Sequence, residues 1–192
     1  MEDLLRKRIT SVIKKLYERG LISARSGNVS CRLNASTMLI TPSGTVEDKM
    51  KPSGIVKMGL DGRVLQGRIP SIEWMMHAEV YRRNKQVGAI IHSHPPITIG
   101  LSLSGEFKVV TEECKMLVGY DIPMVRAPPG SEELARAVAS ESSKKVVILL
   151  GHGLVAFGRD LEEAEILTEA VEENAKVVLV YIVSRINPDG SS

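Results

Sequence analysis

The chain has 192 residues, 43% of them hydrophobic and 25% charged, and its 25 basic against 23 acidic residues leave a formal charge of +2. That length buries one core and the composition calls for no second domain, while the near-neutral balance excludes the broad basic field that grips nucleic acid or an anionic membrane. Cys31 and Cys114 lack a close-spaced partner and read as reduced thiols, and no apolar signal segment follows the charged Met1 to Lys7, so a cytoplasmic location is expected.

Leu4, Leu5, Ile9, Val12, Ile13, Leu16 and Tyr17 recur at three- and four-residue spacing, which predicts an amphipathic helix ending at Gly20. The pattern then changes to short β-type runs. Val29 to Leu33 and Met38 to Thr41, joined by Asn34-Ala35-Ser36, predict a hairpin, and Asp61-Gly62 predicts a second between strands at Ile55 to Met58 and Val64 to Leu65. After Pro70 a helix is expected with Ser71 as its N-cap and Trp74, Met75, Ala78 and Tyr81 on its apolar face. Val87 to Ile91 and Val146 to Leu150 read as buried strands, with Leu154 to Phe157 as a neighbour of the second. A short helix over Ser131 to Ala139 and a long one over Leu161 to Val183, opened by Asp160, complete the pattern. Helices alternating with strands and hairpins indicate an α/β fold, a sandwich with a mixed sheet covered by helices. One domain over residues 1–186 and a frayed tail over 187–192 are expected.

The chemistry concentrates in Ile90-Ile91-His92-Ser93-His94-Pro95-Pro96. Residues two apart on a strand share a face, so both imidazoles point one way at the end of an apolar run. His152 follows the other buried strand in Gly151-His152-Gly153. A sheet that places these strands together converges three imidazoles, and three histidines with one open position are a catalytic zinc arrangement. His77, mid-helix beside Met75 and Met76, reads as a hydrogen-bonded core histidine. Glu73 taken alone reads as a carboxylate favoured by the first turn of a helix.

Five motifs, Ser26-Gly27-Asn28-Val29-Ser30, Ile40-Thr41-Pro42-Ser43-Gly44, Pro70-Ser71-Ile72-Glu73-Trp74, His92-Ser93-His94 and His152-Gly153-Leu154, follow one another in this order. Together they make the chain resemble the class II aldolase and epimerase family of fuculose-phosphate aldolase and ribulose-phosphate 4-epimerase, over nearly its whole length. The resemblance implies a three-layer sandwich around a mixed, largely antiparallel sheet. It also implies Zn2+ held by His92, His94 and His152, with Glu73 as the acid/base residue and a fourth ligand in the resting state. Gly27, Asn28, Ser43, Gly44 and Ser71 then hold the phosphate of a phosphorylated sugar. The expected reaction is reversible cleavage of a ketose 1-phosphate to dihydroxyacetone phosphate and an aldehyde, the metal stabilising an enediolate. A sugar-phosphate 4-epimerase or methylthioribulose-phosphate dehydratase on the same metal, and a non-catalytic module like the adducin head, are the alternatives. The family also implies a homotetramer with active sites near subunit boundaries.

The chain departs from the pattern in three places. Ile72 stands where some members have a second hydroxyl. Glu112 and Glu113 fall in the segment, near Thr111 to Glu113, where the family aldolase has a tyrosine that protonates the aldehyde in a neighbouring subunit, and Ser192 falls short of the family's C-terminal extension, which carries another tyrosine or, in the epimerases, further catalytic groups. Tyr120-Asp121-Ile122-Pro123 resembles a segment around a catalytic aspartate of the epimerase and reads equally as a turn before a strand.

Overall fold

The computed structural model describes residues 1–44 and 49–186, so the tail expected over 187–192 lies outside the described residues. Among the described residues eight strands form one sheet: β1 (Asn28–Arg32), β2 (Thr37–Ile40), β3 (Val56–Gly59), β4 (Val64–Gln66), β5 (Ala89–Ser93), β6 (Met124–Val125), β7 (Val146–Leu149) and β8 (Gly153–Gly158). Their spatial order is β4-β3-β2-β1-β5-β8-β7-β6, and every pairing is antiparallel except β6 with β7. Both hairpins form where the turn residues place them, and Gly62 takes a positive φ of 94° that suits glycine.

Six α-helices among the described residues cover the sheet: α1 (Glu2–Glu18), α2 (Trp74–Arg83), α3 (Pro96–Ser104), α4 (Glu112–Val118), α5 (Glu132–Ser140) and α6 (Leu161–Ile186). Strand alternation sorts the core into two layers. Ile90, Val147, Leu149, Val155 and Phe157 face α2 and α5. Val29, Cys31, Ala89 and Ile91 face α1, and Val146, Ile148, Leu154 and Ala156 face α3, α4 and α6. The result is a three-layer sandwich. Both cysteines are buried and unpaired, and burial pushes the Cys31 thiol up to about 12.

Several local expectations need correction. In α1, Leu4 and Tyr17 are exposed at 62% and 40%, whereas Arg6 is buried because its guanidinium reaches the Ile55 carbonyl, Gln66 and Glu2. Ser71 does not cap α2, whose first residue is Trp74. It opens the preceding turn instead, its carbonyl accepting the Trp74 N–H at 3.0 Å and its Oγ the Glu73 N–H at 3.3 Å. Ser131 and Asp160 do cap, accepting from Leu134 N–H at 3.0 Å and Glu163 N–H at 2.9 Å.

Helices α3 and α4 lie where the sequence pattern assigns none. Helix α3 starts two residues after His94, and the buried Glu172 of α6 holds its first turn by accepting from Ile97 N–H, Thr98 N–H and Thr98 Oγ1–H at 3.1, 2.9 and 2.8 Å. Asn174, two residues further along α6, accepts from Val110 and Thr111 N–H and donates to the Lys108 carbonyl. A buried carboxylate bonded to three donors is an anchor that water cannot replace cheaply. Glu172→Ala is expected to lower the unfolding free energy by about 2–3 kcal/mol, measured by urea unfolding; a loss below about 0.5 kcal/mol would mean that the α3 N-terminus is held by packing alone.

Candidate active site

Strands β5 and β8 lie side by side, with His92 opposite Val155 and Ser93 opposite Leu154. His92 is the fourth residue of β5. His94 stands one residue beyond the strand, where its N–H donates to the Leu21 carbonyl at 2.7 Å, so a loop contact rather than strand alternation fixes it. His152 occupies the tight turn between β7 and β8, its N–H bonded to the Leu149 carbonyl at 2.9 Å. The three ring centroids are 4.7, 4.8 and 5.1 Å apart, and one nitrogen from each ring can be chosen so that all lie within 4.8 Å of one another. Close approach requires a bare backbone at position 153. A Cβ there would stand 2.3 Å from the Ser93 carbonyl oxygen and about 3 Å from the rings of His92 and His94.

His92 Nδ1 lies 3.1 Å from the Leu154 carbonyl, which accepts only, so Nδ1 carries the proton and the Nε2 lone pair faces His94 Nε2, 3.0 Å away. Burial holds His92 well below its ordinary pKa, with the neighbouring imidazoles adding to the effect. It holds His94 at about 4, aided by His152, and lowers His152 as well. His152 Nδ1 is buried with no partner among the described residues. Three neutral imidazoles with converging lone pairs are a fitting donor set for a borderline-soft divalent cation.

One cavity of about 220 Å³ is lined by all nine residues singled out in the sequence: Gly27, Asn28, Ser43, Gly44, Ser71, Glu73, His92, His94 and His152. Glu73 stands outside the trio of atoms close enough to share one ion. Its side chain is buried, with Oε2 unpartnered among the described residues; burial raises its pKa and a backbone hydrogen bond from Gly130 opposes the rise. A carboxylate in that state is a proton acceptor of raised basicity.

The loops offer donors in a different way from the one the sequence suggests. The Ser43 and Ser71 N–H groups are spent on the Ile69 and Thr41 carbonyls at 3.0 Å each, leaving for a ligand the Ser43 hydroxyl and the proton of the Ser71 hydroxyl, whose oxygen already accepts from Glu73 N–H. The N–H groups of Gly27 and Ile72 have no acceptor among the described residues. Thus the missing hydroxyl at Ile72 leaves a backbone donor behind. Arg25 also lines the cavity and escaped the sequence reading, although it directly precedes the Ser26-Gly27-Asn28 motif; it brings the only cationic side chain among the described lining residues. Glu112 and Glu113 begin α4 and Asp121 lies in the loop between α4 and β6, all outside that lining.

A mixed sheet whose inner strands end in three convergent imidazoles beside a buried carboxylate is the architecture of a class II aldolase. The chain belongs to the family described as the Class II Aldolase and Adducin N-terminal domain, which matches residues 7–179. It is 34% identical over 182 residues to an L-fuculose phosphate aldolase of Methanocaldococcus jannaschii, covering 93% of this chain and 97% of that one. It is 29% identical over 188 residues to a 3-oxo-tetronate 4-phosphate decarboxylase of Escherichia coli, covering 94% and 88%. The crystal structure of L-fuculose-1-phosphate aldolase from Thermus thermophilus superposes with a TM-score of 0.87 at 29% identity over 98% of both chains.

Two expected outcomes follow from this geometry. Gly153→Ala drives a methyl group into the Ser93 carbonyl and should abolish stoichiometric metal uptake, read by elemental analysis after gel filtration, while the circular dichroism stays native; full uptake would refute the close-approach argument. For the metal-free protein, burial holds His77 at about 3 against an ordinary 6.5. Between those values the unfolded chain binds a proton that the folded chain refuses, so stability is intact above about pH 6.5 and falls with pH by up to about 1.4 kcal/mol per unit for each such histidine. Urea midpoints should fall on acidification, with a shallower slope in His77→Gln; equal slopes would contradict a histidine held neutral.

Proposed function

We propose that the protein is a zinc-dependent sugar-phosphate aldolase that reversibly cleaves a ketose 1-phosphate to dihydroxyacetone phosphate and an aldehyde. The observation that carries this reading is the single cavity joining three neutral imidazoles, a buried proton-accepting carboxylate and a rim of hydrogen-bond donors. The relatives named for L-fuculose phosphate aldolase support the substrate class.

His92, His94 and His152 would hold the ion, which when bound supplies Lewis-acid stabilisation of the negative charge developing next to the substrate carbonyl. Asn28, the hydroxyls of Ser43 and Ser71 and the free N–H groups of Gly27 and Ile72 would bind the phosphate, with Gly44 supplying the positive φ of 70° that turns the chain after Ser43 and Arg25 adding charge at the rim. Holding the phosphate fixes the reacting carbon relative to Glu73, which converts an encounter into a positioned proton transfer. Glu73 takes the proton from that carbon in condensation or returns it in cleavage. Its raised pKa makes the ionised carboxylate a stronger base than an exposed glutamate, and its burial keeps bulk water from competing.

The decarboxylase relative favours a second reading, loss of CO2 from a 3-oxo sugar-acid phosphate, because that reaction leaves negative charge on the same kind of carbon. Epimerase and dehydratase chemistry would use the same donors, while an adducin-like module would need neither ion nor base. We also infer an assembly of subunits, a homotetramer on the family pattern. The C-terminal part of α6 carries Val180, Tyr181 and Val183 at 69%, 59% and 51% exposure, an apolar stripe that an interface would cover. No described helix is long and apolar enough to cross a membrane.

The decisive assay incubates zinc-loaded protein with dihydroxyacetone phosphate in deuterated water, alone and with lactaldehyde. Exchange of one C3 hydrogen and a condensed sugar phosphate are expected from the wild type. Glu73→Gln should lose at least about 100-fold in exchange while keeping its zinc. Exchange should rise with pH as Glu73 ionises, its midpoint above that of an ordinary glutamate. No exchange from a zinc-loaded wild type would sink the aldolase reading, and CO2 release from a 3-oxo sugar-acid phosphate would establish the second one.

A further inference from the structure

His77 has no part in the chemistry above, yet both of its ring nitrogens are engaged. Nε2 lies 2.5 Å from Asn28 Oδ1, and Nδ1 lies 2.7 Å from Ser30 Oγ, which is in turn 2.8 Å from the Tyr81 hydroxyl. His77 and Tyr81 are one turn apart on α2, and Asn28 and Ser30 share a face of β1, so helix and strand meet along a seam of four polar groups. Asn28 is 4% exposed and the other three are 0% exposed. Asn28 also pairs with His92 in the sheet, so the seam ends beside the imidazole cluster.

The direction of the protons follows from the far end. The Tyr81 hydroxyl has one side-chain partner among the described residues, Ser30 Oγ, and its proton points there. Ser30 has a single proton, which then goes to His77 Nδ1. An imidazole that accepts at Nδ1 carries its own proton on Nε2 and donates it to Asn28 Oδ1. Burial keeps this ring neutral, so it does not donate from both nitrogens. The oxygen end of the Asn28 amide is thereby turned to the helix. Its NH2 end is left for the cavity that Asn28 lines, and no described protein group accepts from it.

We propose that Tyr81, Ser30 and His77 form a proton-ordered chain that locks the Asn28 amide with its NH2 toward the cavity, so that this position can only donate and thereby selects a phosphate oxygen. An unrestrained amide can turn over and offer either its carbonyl or its NH2; a locked one pays no such cost and repels no acceptor. A phosphate dianion presents acceptors alone and fits a donor-only position, whereas a hydroxyl or amide ligand that needs an acceptor there is left unpaired. His77 is a positioning residue in this account. The selection claim rests on the reading of the cavity as a phosphate site; the proton order does not.

Two measurements on the full-length, zinc-loaded protein separate the claims. Long-range proton–nitrogen correlation spectra of the histidine-labelled wild type report which nitrogen of His77 carries the proton. The Nε2–H form is expected, and the Nδ1–H form would overturn the proton order without any variant having to fold. Calorimetric titration with inorganic phosphate then compares wild type, Asn28→Ala, His77→Phe and the double variant. Each single change should weaken phosphate about tenfold, and His77→Phe should weaken it little further once Asn28 is gone. An equal loss from His77→Phe in both backgrounds would reduce His77 to a packing role and overturn the proposal. Absence of phosphate binding in the wild type would overturn the phosphate reading and the selection claim together, leaving the tautomer measurement to decide the chain by itself.

Discussion

The arrangement on which the rest of the site depends is the juxtaposition of the β5 end with the β7–β8 turn, which brings three imidazole rings to within about 5 Å of one another. Burial forbids charging them, and the Leu154 carbonyl orients the His92 ring so that its lone pair faces inward. Lone pairs gathered in a partly dry place repel, and a divalent cation converts that repulsion into binding energy. The arrangement costs side-chain freedom in return: Gly153 can carry no Cβ, and Gly27, with a φ of 79°, lies so close that a Cβ would stand 2.9 Å from the His92 carbonyl oxygen. The two glycines bracket the same strand from either side.

The sheet divides its labour by face. One side is mainly apolar, packed under α1 and α6, with Lys57 of β3 reaching Glu2 of α1 and Ser93 closing β5, and it supplies the rigidity from which the strand ends project. The other side changes character along β1, where Asn28, Ser30 and Arg32 replace the apolar residues that fill neighbouring strands. Arg32 ties the carbonyls of Tyr81, Asn84 and Val87 together beneath α2, each at 2.8 Å. Helix α2 is therefore held to the sheet by directed bonds where most helices rely on packing. Directed bonds fix a helix in rotation as well as in distance. That fixes the entry to α2, where Glu73 immediately precedes the helix and lines the same cavity as the imidazoles.

Much of the architecture was legible because its signals are local. Asp61-Gly62 specifies a tight turn, Ser131 and Asp160 cap helices with their own side chains, and buried strands of β-branched residues stand out between them. Helix α3 was illegible for a physical reason: Ile97, Ile99, Leu101 and Leu103 alternate at strand spacing, and the helix is held by a carboxylate 75 residues away at Glu172. Helix α4 rests likewise on Thr111, capping from a loop that Asn174 orders. At the site, nine of the residues lining the cavity were readable as ordered motifs, whereas their hydrogen-bond economy was not. Nothing in Pro70-Ser71-Ile72 says that the Ser71 N–H is consumed by Thr41, and nothing near His77 says that its partners lie about 50 residues earlier on β1.

The central claim is that His92, His94 and His152 form the metal centre. It is tested most directly by X-ray absorption at the zinc edge on protein loaded with one equivalent of zinc and freed of excess by gel filtration. The account predicts a first shell of nitrogen and oxygen alone, with the outer-shell scattering of about three imidazoles, and the loss of that pattern in His152→Ala. A sulfur scatterer, which would implicate Cys31 or Cys114, or an unchanged imidazole pattern in His152→Ala, would contradict it.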